Sequence, residues 1–197
     1  MSPAHVLEPT YQNLKRGLMQ GNWRPGERLE ALRLADEFGV SMTPVRDCLN
    51  RLVGEALVEM KPGEGYRVPR ISENKLRDML EFNILLLDFA LLNPVKTGEV
   101  PHSAHSVEDY AGRVAALFSV IALRSANTVL TETLHSLGDR MHTIRRWEPH
   151  LFPDCFQELD ELERELAANS SNLSIMLGKY HDRRLGSVAT LVQLAQS

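Results

Sequence analysis

The chain has 197 residues, 43% hydrophobic and 24% charged, with a formal net charge of -4. That balance is ordinary for a soluble globular protein of one large or two small domains. No apolar run approaches the roughly 20 residues that span a bilayer, and Cys48 and Cys155 supply neither a disulfide framework nor a zinc-ligand cluster.

The start, Met1 to Glu8, lacks the basic-then-apolar order of a signal peptide, so a reducing cytoplasm is the expected location. Charge is unevenly spread. Residues 1–70 hold 10 Lys+Arg and 9 Asp+Glu, near +1, whereas residues 71–197 hold 12 and 17, near -5. The front part is therefore free to meet phosphate through local placement of its basic groups.

Tyr11, Leu14 and Leu18 fall at helical spacing and predict a first helix ending near Gly21. Pro25-Gly26 is a turn. A second helix, about Glu30 to Phe38, buries Leu34, Ala35 and Phe38, and Gly39 follows as its left-handed terminator. Ser41 occupies an N-cap position, with Pro44 in the first turn of a third helix. Val45, Leu49 and Leu52 give that helix a narrow core stripe, and Met42, Thr43, Arg46, Asp47 and Asn50 lie opposite.

After Gly54, the segments Ala56–Lys61 and Tyr66–Val68 flank Pro62-Gly63-Glu64-Gly65, which predicts a hairpin with a glycine-rich tip. Three helices and a hairpin make a winged helix-turn-helix. The alternative for this pattern is a small helical domain that meets no nucleic acid.

A linker near Val68 to Ser72 ends the module, and the remainder reads as helical. Asn74 to Leu92 is dense in Leu, Ile, Phe and Met and stops before Pro94. A loop runs from Pro94 to Ser106, containing His102 and His105. Helices are then predicted over about Val107–Ser125, Asn127–Trp147, Asp154–Ala168 and Ser171–Ala195. The expected fold class is mainly α: a winged helix-turn-helix over residues 1–70 and an all-α helical bundle over residues 71–197.

Residues 10–70 resemble the N-terminal domain of GntR-family bacterial transcription regulators. The resemblance is carried by Pro25, Gly26, Leu29, Leu34, Ala35, Gly39, Val40, Ser41, Thr43, Pro44, Val45, Arg46 and Gly65 in fixed spacing. The helical remainder is similar in size and position to the FadR-type (FCD) effector domain. The resemblance implies that Ser41, Thr43 and Arg46 sit at a DNA interface. Elementary chemistry agrees: hydroxyls at a helix N-terminus complement phosphate oxygens, and Arg bridges guanine O6 and N7.

Arg33, Lys61, Arg67 and Arg70 are candidate phosphate partners, equally readable as ordinary surface cations. Met42 stands where the family usually has Arg. It either touches a thymine methyl or is an exposed Met of little effect. Glu64 stands before the wing glycine where a basic residue is common, and it repels phosphate unless it points away. The expected DNA-facing set is Arg33, Ser41, Met42, Thr43, Arg46, Lys61 and Gly65.

FadR-type domains often hold a metal through an Asp-x3-His pair and two later His. In register at Asn127, these positions fall on Val114, Phe118, and Leu159 or Asp160, and His181 alone survives. One imidazole among apolar groups holds a divalent cation poorly, so no metal and no other cofactor are expected. His135, Asp139, His142 and Arg146 run at i, i+4, i+7 and i+11. This stripe reads either as an anion or carboxylate site or as a solvated polar face. Arg113, Arg140, Arg145, Arg183 and Arg184 read as surface charges. The effector candidates are His135, His142, Arg146 and His181, for an organic acid or apolar metabolite.

The expected function is a ligand-responsive repressor that binds a pseudo-palindromic operator on double-stranded DNA as a homodimer, with no membrane partner. The alternative is a winged-helix interaction or scaffolding module without DNA readout. No nucleophile–base pair, phosphate loop or metal cluster nominates an enzyme.

Overall fold

The computed structural model describes residues 3–95 and 109–196, with side chains from Val6 onward, so His102 and His105 lie outside the described residues. Two compact units divide at Ile71 and Ser72. Among the described residues there are ten helices and one three-stranded sheet.

The first unit opens with α1 (Pro3–Met19). Its buried face, Tyr11, Leu14 and Leu18, packs with Leu34, Ala35, Val45, Leu49 and Leu52 into a single core. Helix α2 (Ala31–Phe38) ends because Gly39 takes a left-handed conformation at φ 65°, and Val40 N–H returns to the Ala35 carbonyl at 3.0 Å. Ser41 is extended and begins α3 (Met42–Gly54), whose buried Val45, Cys48, Leu49 and Leu52 face the core. Gly54 is the last helical residue, and Ala56 rather than a glycine carries the following positive φ of 57°.

The wing is β2 (Glu59–Lys61) paired antiparallel with β3 (Gly65–Arg67). A short β1 (Arg28–Leu29), absent from the sequence reading, pairs with the other edge of β3. Two residues are too few to show alternation, which is why periodicity missed it. Its effect is to pin the wing: Leu29 is buried and sits opposite Tyr66.

The second unit is helical throughout its described residues. Helix α4 (Glu73–Leu92) is capped by Ser72, α5 (Tyr110–Leu123) by Asp109 and α6 (Thr128–Arg145) by Asn127. Each of these side chains accepts from a backbone N–H of the first turn, relieving one of its unpaired donors. Next come a single turn, α7 (Glu148–Leu151), and α8 (Cys155–Ala167). The one long final helix expected from sequence is two, α9 (Leu173–Leu185) and α10 (Val188–Gln196), interrupted at Gly186 and Ser187. The core holds Leu87, Val114, Ile121, Leu159, Leu162 and Leu177, all fully enclosed.

Candidate nucleic-acid interface

The start of α3 is a polar edge. Ser41 has the backbone of an N-cap, yet its hydroxyl makes no capping hydrogen bond and is exposed. The first-turn N–H groups of α3 therefore keep their donor capacity and the positive end of the helix dipole beside a free hydroxyl. Thr43 and Arg46 are exposed on the same first turns, and Arg46 forms no ion pair among the described residues. Asp47 does not engage it.

A groove of about 330 Å³ lies against this edge, with Arg28, Leu32, Met42, Arg46, Gly65 and Tyr66 in its lining. It brings together Met42, Arg46 and Gly65 from the expected set. Ser41, Thr43, Arg33 and Lys61 are exposed but do not line it. Gly65 has φ +82°, a conformation L side chains rarely adopt, so glycine is needed where the wing turns. Tyr66 donates its hydroxyl to Asn50 Oδ1 at 2.8 Å, tying β3 to the exposed face of α3. Arg28 and Tyr66, which line the groove, were missed from sequence because nothing local marks a pair of residues that become neighbours only through the β1–β3 ladder.

Glu64 does not face the groove's cations unanswered. Its Oε2 lies 3.1 Å from Arg67 Nε, and Arg67 Nη1 also donates to the Gly26 carbonyl at 3.0 Å. One acidic charge in the wing is thus neutralised within the wing, and Arg67 is held rather than free. Arg51 is also occupied, by Glu8 at 3.0 Å and Glu55 at 3.3 Å, and its guanidinium stacks 3.5 Å over Tyr11. The exposed cations Arg33, Arg46 and Lys61 have no such internal partner among the described residues.

In the second unit the four effector candidates differ in burial. His135 is exposed and bonds Ser119 at 2.8 Å, and Arg146 is exposed at the C-terminus of α6. His142 and His181 are buried. The α6 stripe is therefore not a continuous solvated face, because its His142 turns inward. His181 Nδ1–H donates to the Leu177 carbonyl at 2.8 Å, and its Nε2 lies 2.9 Å from the Asn83 side-chain amide, with its ring stacked 5.8 Å from Phe118. Burial pushes its imidazole down to about 3, with Arg145 and Arg184 adding to the effect. Burial likewise lowers His142. Val114, Phe118 and Leu159 are all buried apolar groups, and among the described residues no three His, Cys, Asp or Glu gather as a cation site.

Two arginines read from sequence as surface charges are interior. Arg184 is fully enclosed: its Nε donates to Glu148 at 2.9 Å, its Nη2 to the Tyr110 hydroxyl at 2.8 Å, and Glu158 lies 2.7 Å away. Arg145 is 3% exposed and carries no carboxylate partner among the described residues. Helical spacing held the signal for both. Arg184 continues the Leu173, Leu177, Tyr180 stripe, and Arg145 continues Leu130, Leu134, Leu137, Met141.

Comparison with known proteins fits this geometry. The HTH-type transcriptional repressor GlaR of Escherichia coli is 35% identical over 71 residues, 36% of this chain and 32% of that protein. The HTH-type transcriptional regulator McbR of Escherichia coli is 33% identical over 144 residues, 66% of this chain and 65% of that protein. The chain thus spans less than two thirds of the length of these curated relatives, both named as regulators of transcription rather than enzymes. A solved structure of a putative GntR transcriptional regulator from Rhodococcus sp. RHA1 shares the fold, with a TM-score of 0.77 at 17% identity over 93% of this chain and 97% of that one. Residues 8–68 match the model of the gntR family of bacterial regulatory proteins, about a third of the chain, and are similar to that family over this stretch.

Proposed function

We propose that the protein is a DNA-binding transcription regulator that acts as a homodimer on a pseudo-palindromic operator and is released by a small-molecule effector in the cytoplasm. The observation that carries the reading is the start of α3: an exposed Ser41 hydroxyl with no capping bond, Thr43, and an Arg46 without an ion-pair partner among the described residues, beside the wing groove. Hydroxyls and first-turn N–H groups match phosphate oxygens, and an extended guanidinium matches a guanine edge. The internal pairing of Glu64 with Arg67 removes the repulsion that would have favoured a scaffold without DNA readout.

Support for a homodimer comes from α4. Phe82, Leu85, Phe89 and Leu92 recur at helical spacing and are exposed, Leu92 to 81%. An apolar stripe of this kind fits an isologous pairing of two copies. Two heads related by a two-fold axis then meet two half-sites. No described helix is long and apolar enough to cross a membrane.

Selection of bound sites from random duplex DNA, with the wild type and Arg46→Ala side by side, tests the reading. A wild type that enriches a pseudo-palindrome whose affinity falls steeply with salt supports it. Unchanged sequence preference in Arg46→Ala refutes the role of Arg46, and no duplex binding at low salt refutes the regulator.

A further inference from the structure

The groove beside α3 mixes two kinds of surface. Arg28 and Arg46 line it as exposed guanidinium groups without an ion-pair partner among the described residues, against the single carboxylate of Glu30. Leu32 and Met42 line it as well, 60% and 38% exposed, and neither is part of the core of the head. Apolar side chains held in water contribute little to folding. Gathered in one groove with free cations, they point to a partner that is anionic overall and apolar at one place.

Met42 and Arg46 stand at i and i+4 on α3, so their side chains leave the same face of the helix. Four residues advance roughly 6 Å along a helix axis, which is about one or two base-pair steps of a duplex. Asn50 continues the stripe, but its Oδ1 is occupied by the Tyr66 hydroxyl at 2.8 Å. Arg46 offers the paired N–H donors that guanine O6 and N7 accept. Met42 offers no donor, and its thioether is at most a weak acceptor. Packed on the edge of guanine, adenine or cytosine, it would cover polar atoms without pairing them. Thymine alone presents a methyl group in the major groove, and the flexible, polarizable methionine side chain suits it.

We infer that Met42 selects a thymine, packing on its C5 methyl within about two base-pair steps of the guanine met by Arg46. Leu32 adds apolar surface to the same groove, and Arg28 supplies attraction to the phosphate backbone without choosing a base. This choice of base rests on the regulator reading, which it deepens.

The test takes duplexes that the full wild-type chain selects from a random pool and replaces each thymine of the half-site with uracil, which lacks only the C5 methyl. At one thymine, close to the guanine whose selection is lost in Arg46→Ala, the wild type is expected to bind uracil about three- to tenfold more weakly. Met42→Ala is expected to bind the thymine and uracil duplexes alike. In a repeated selection, Met42→Arg is expected to exchange that thymine for guanine. Met42 is exposed, so the melting midpoints of both variants should stay within about 2 °C of wild type, which separates a lost contact from a lost fold. A half-site without that thymine, equal wild-type affinity for thymine and uracil throughout, or the same uracil loss in Met42→Ala overturns the assignment and leaves the regulator standing. A wild type that binds no duplex at low salt overturns both.

Discussion

Arg184 and Glu148 meet across 2.9 Å in the interior of the helical unit, with 0% and 3% of their side chains exposed. The Tyr110 and Tyr180 hydroxyls also donate to the same carboxylate oxygen, at 2.8 and 3.3 Å. Arg184 and two hydroxyls answer the buried charge of Glu148, while Arg184 itself is answered by both Glu148 and Glu158. Arg184→Met is expected to cost about 3–5 kcal/mol in urea unfolding, since it strands a buried carboxylate. The double variant Arg184→Met with Glu148→Gln is expected to recover a large part of that loss. Additive losses in the cycle would show that the two residues act independently.

The wing offers a second test. Glu64→Gln releases Arg67 from its ion pair, and Arg67 then becomes available to phosphate. Duplex affinity is expected to rise, and the dependence of log affinity on log salt to steepen by about 0.9. Folding stability should barely move, because half-exposed pairs contribute about 0–1 kcal/mol. An unchanged salt slope would mean that Arg67 stays on the Gly26 carbonyl.

Helix α4 carries the prediction on assembly. Leu85→Glu puts a charge in the middle of the Phe82, Leu85, Phe89, Leu92 stripe without touching the buried face of Leu80, Asn83 and Leu87. Sedimentation is expected to show the wild type at twice the 22.2 kDa chain mass and the variant at one chain. A variant of unchanged mass would place the interface elsewhere.

Stability should fall on the acid side of neutrality. His181 is held down to about 3, first by burial, and His142 is lowered for the same first reason. Unfolded imidazoles bind protons near about pH 6.5, so the native state is the proton-poor one. The His181 contribution is complete above that pH and is lost progressively as pH falls toward about 3, by up to about 1.4 kcal/mol per pH unit, and His142 adds a loss of the same sign. Urea unfolding at pH 7, 6 and 5 measures the slope. His181→Gln is expected to flatten it, and an equal slope in that variant would assign the loss to other groups.

The head of this protein was legible from its residues because each of its defining features is local. A glycine that accepts positive φ, a hydroxyl residue before Pro44, and Val45, Leu49 and Leu52 at helical spacing each act within a turn or two of chain. The helical character of the second unit was legible for the same reason. Side-chain burial there was not. Arg145 and Arg184 look like any basic residue in a polar stretch, and only their place in a stripe of apolar neighbours hinted otherwise.

What the residues determined alone was the helix–turn–helix and wing of the first unit, the helical character of the second and the polar edge of α3, since backbone propensity, capping and periodicity depend on neighbours a few positions away. Tertiary structure decided the rest. It paired Arg184 with Glu148 across 36 positions of sequence and His181 with Asn83 across 98, and it enclosed Arg145 in the interior. Those outcomes depend on which helix faces close on one another, and a charge's cost or benefit is set by the low-dielectric surroundings that this closure creates.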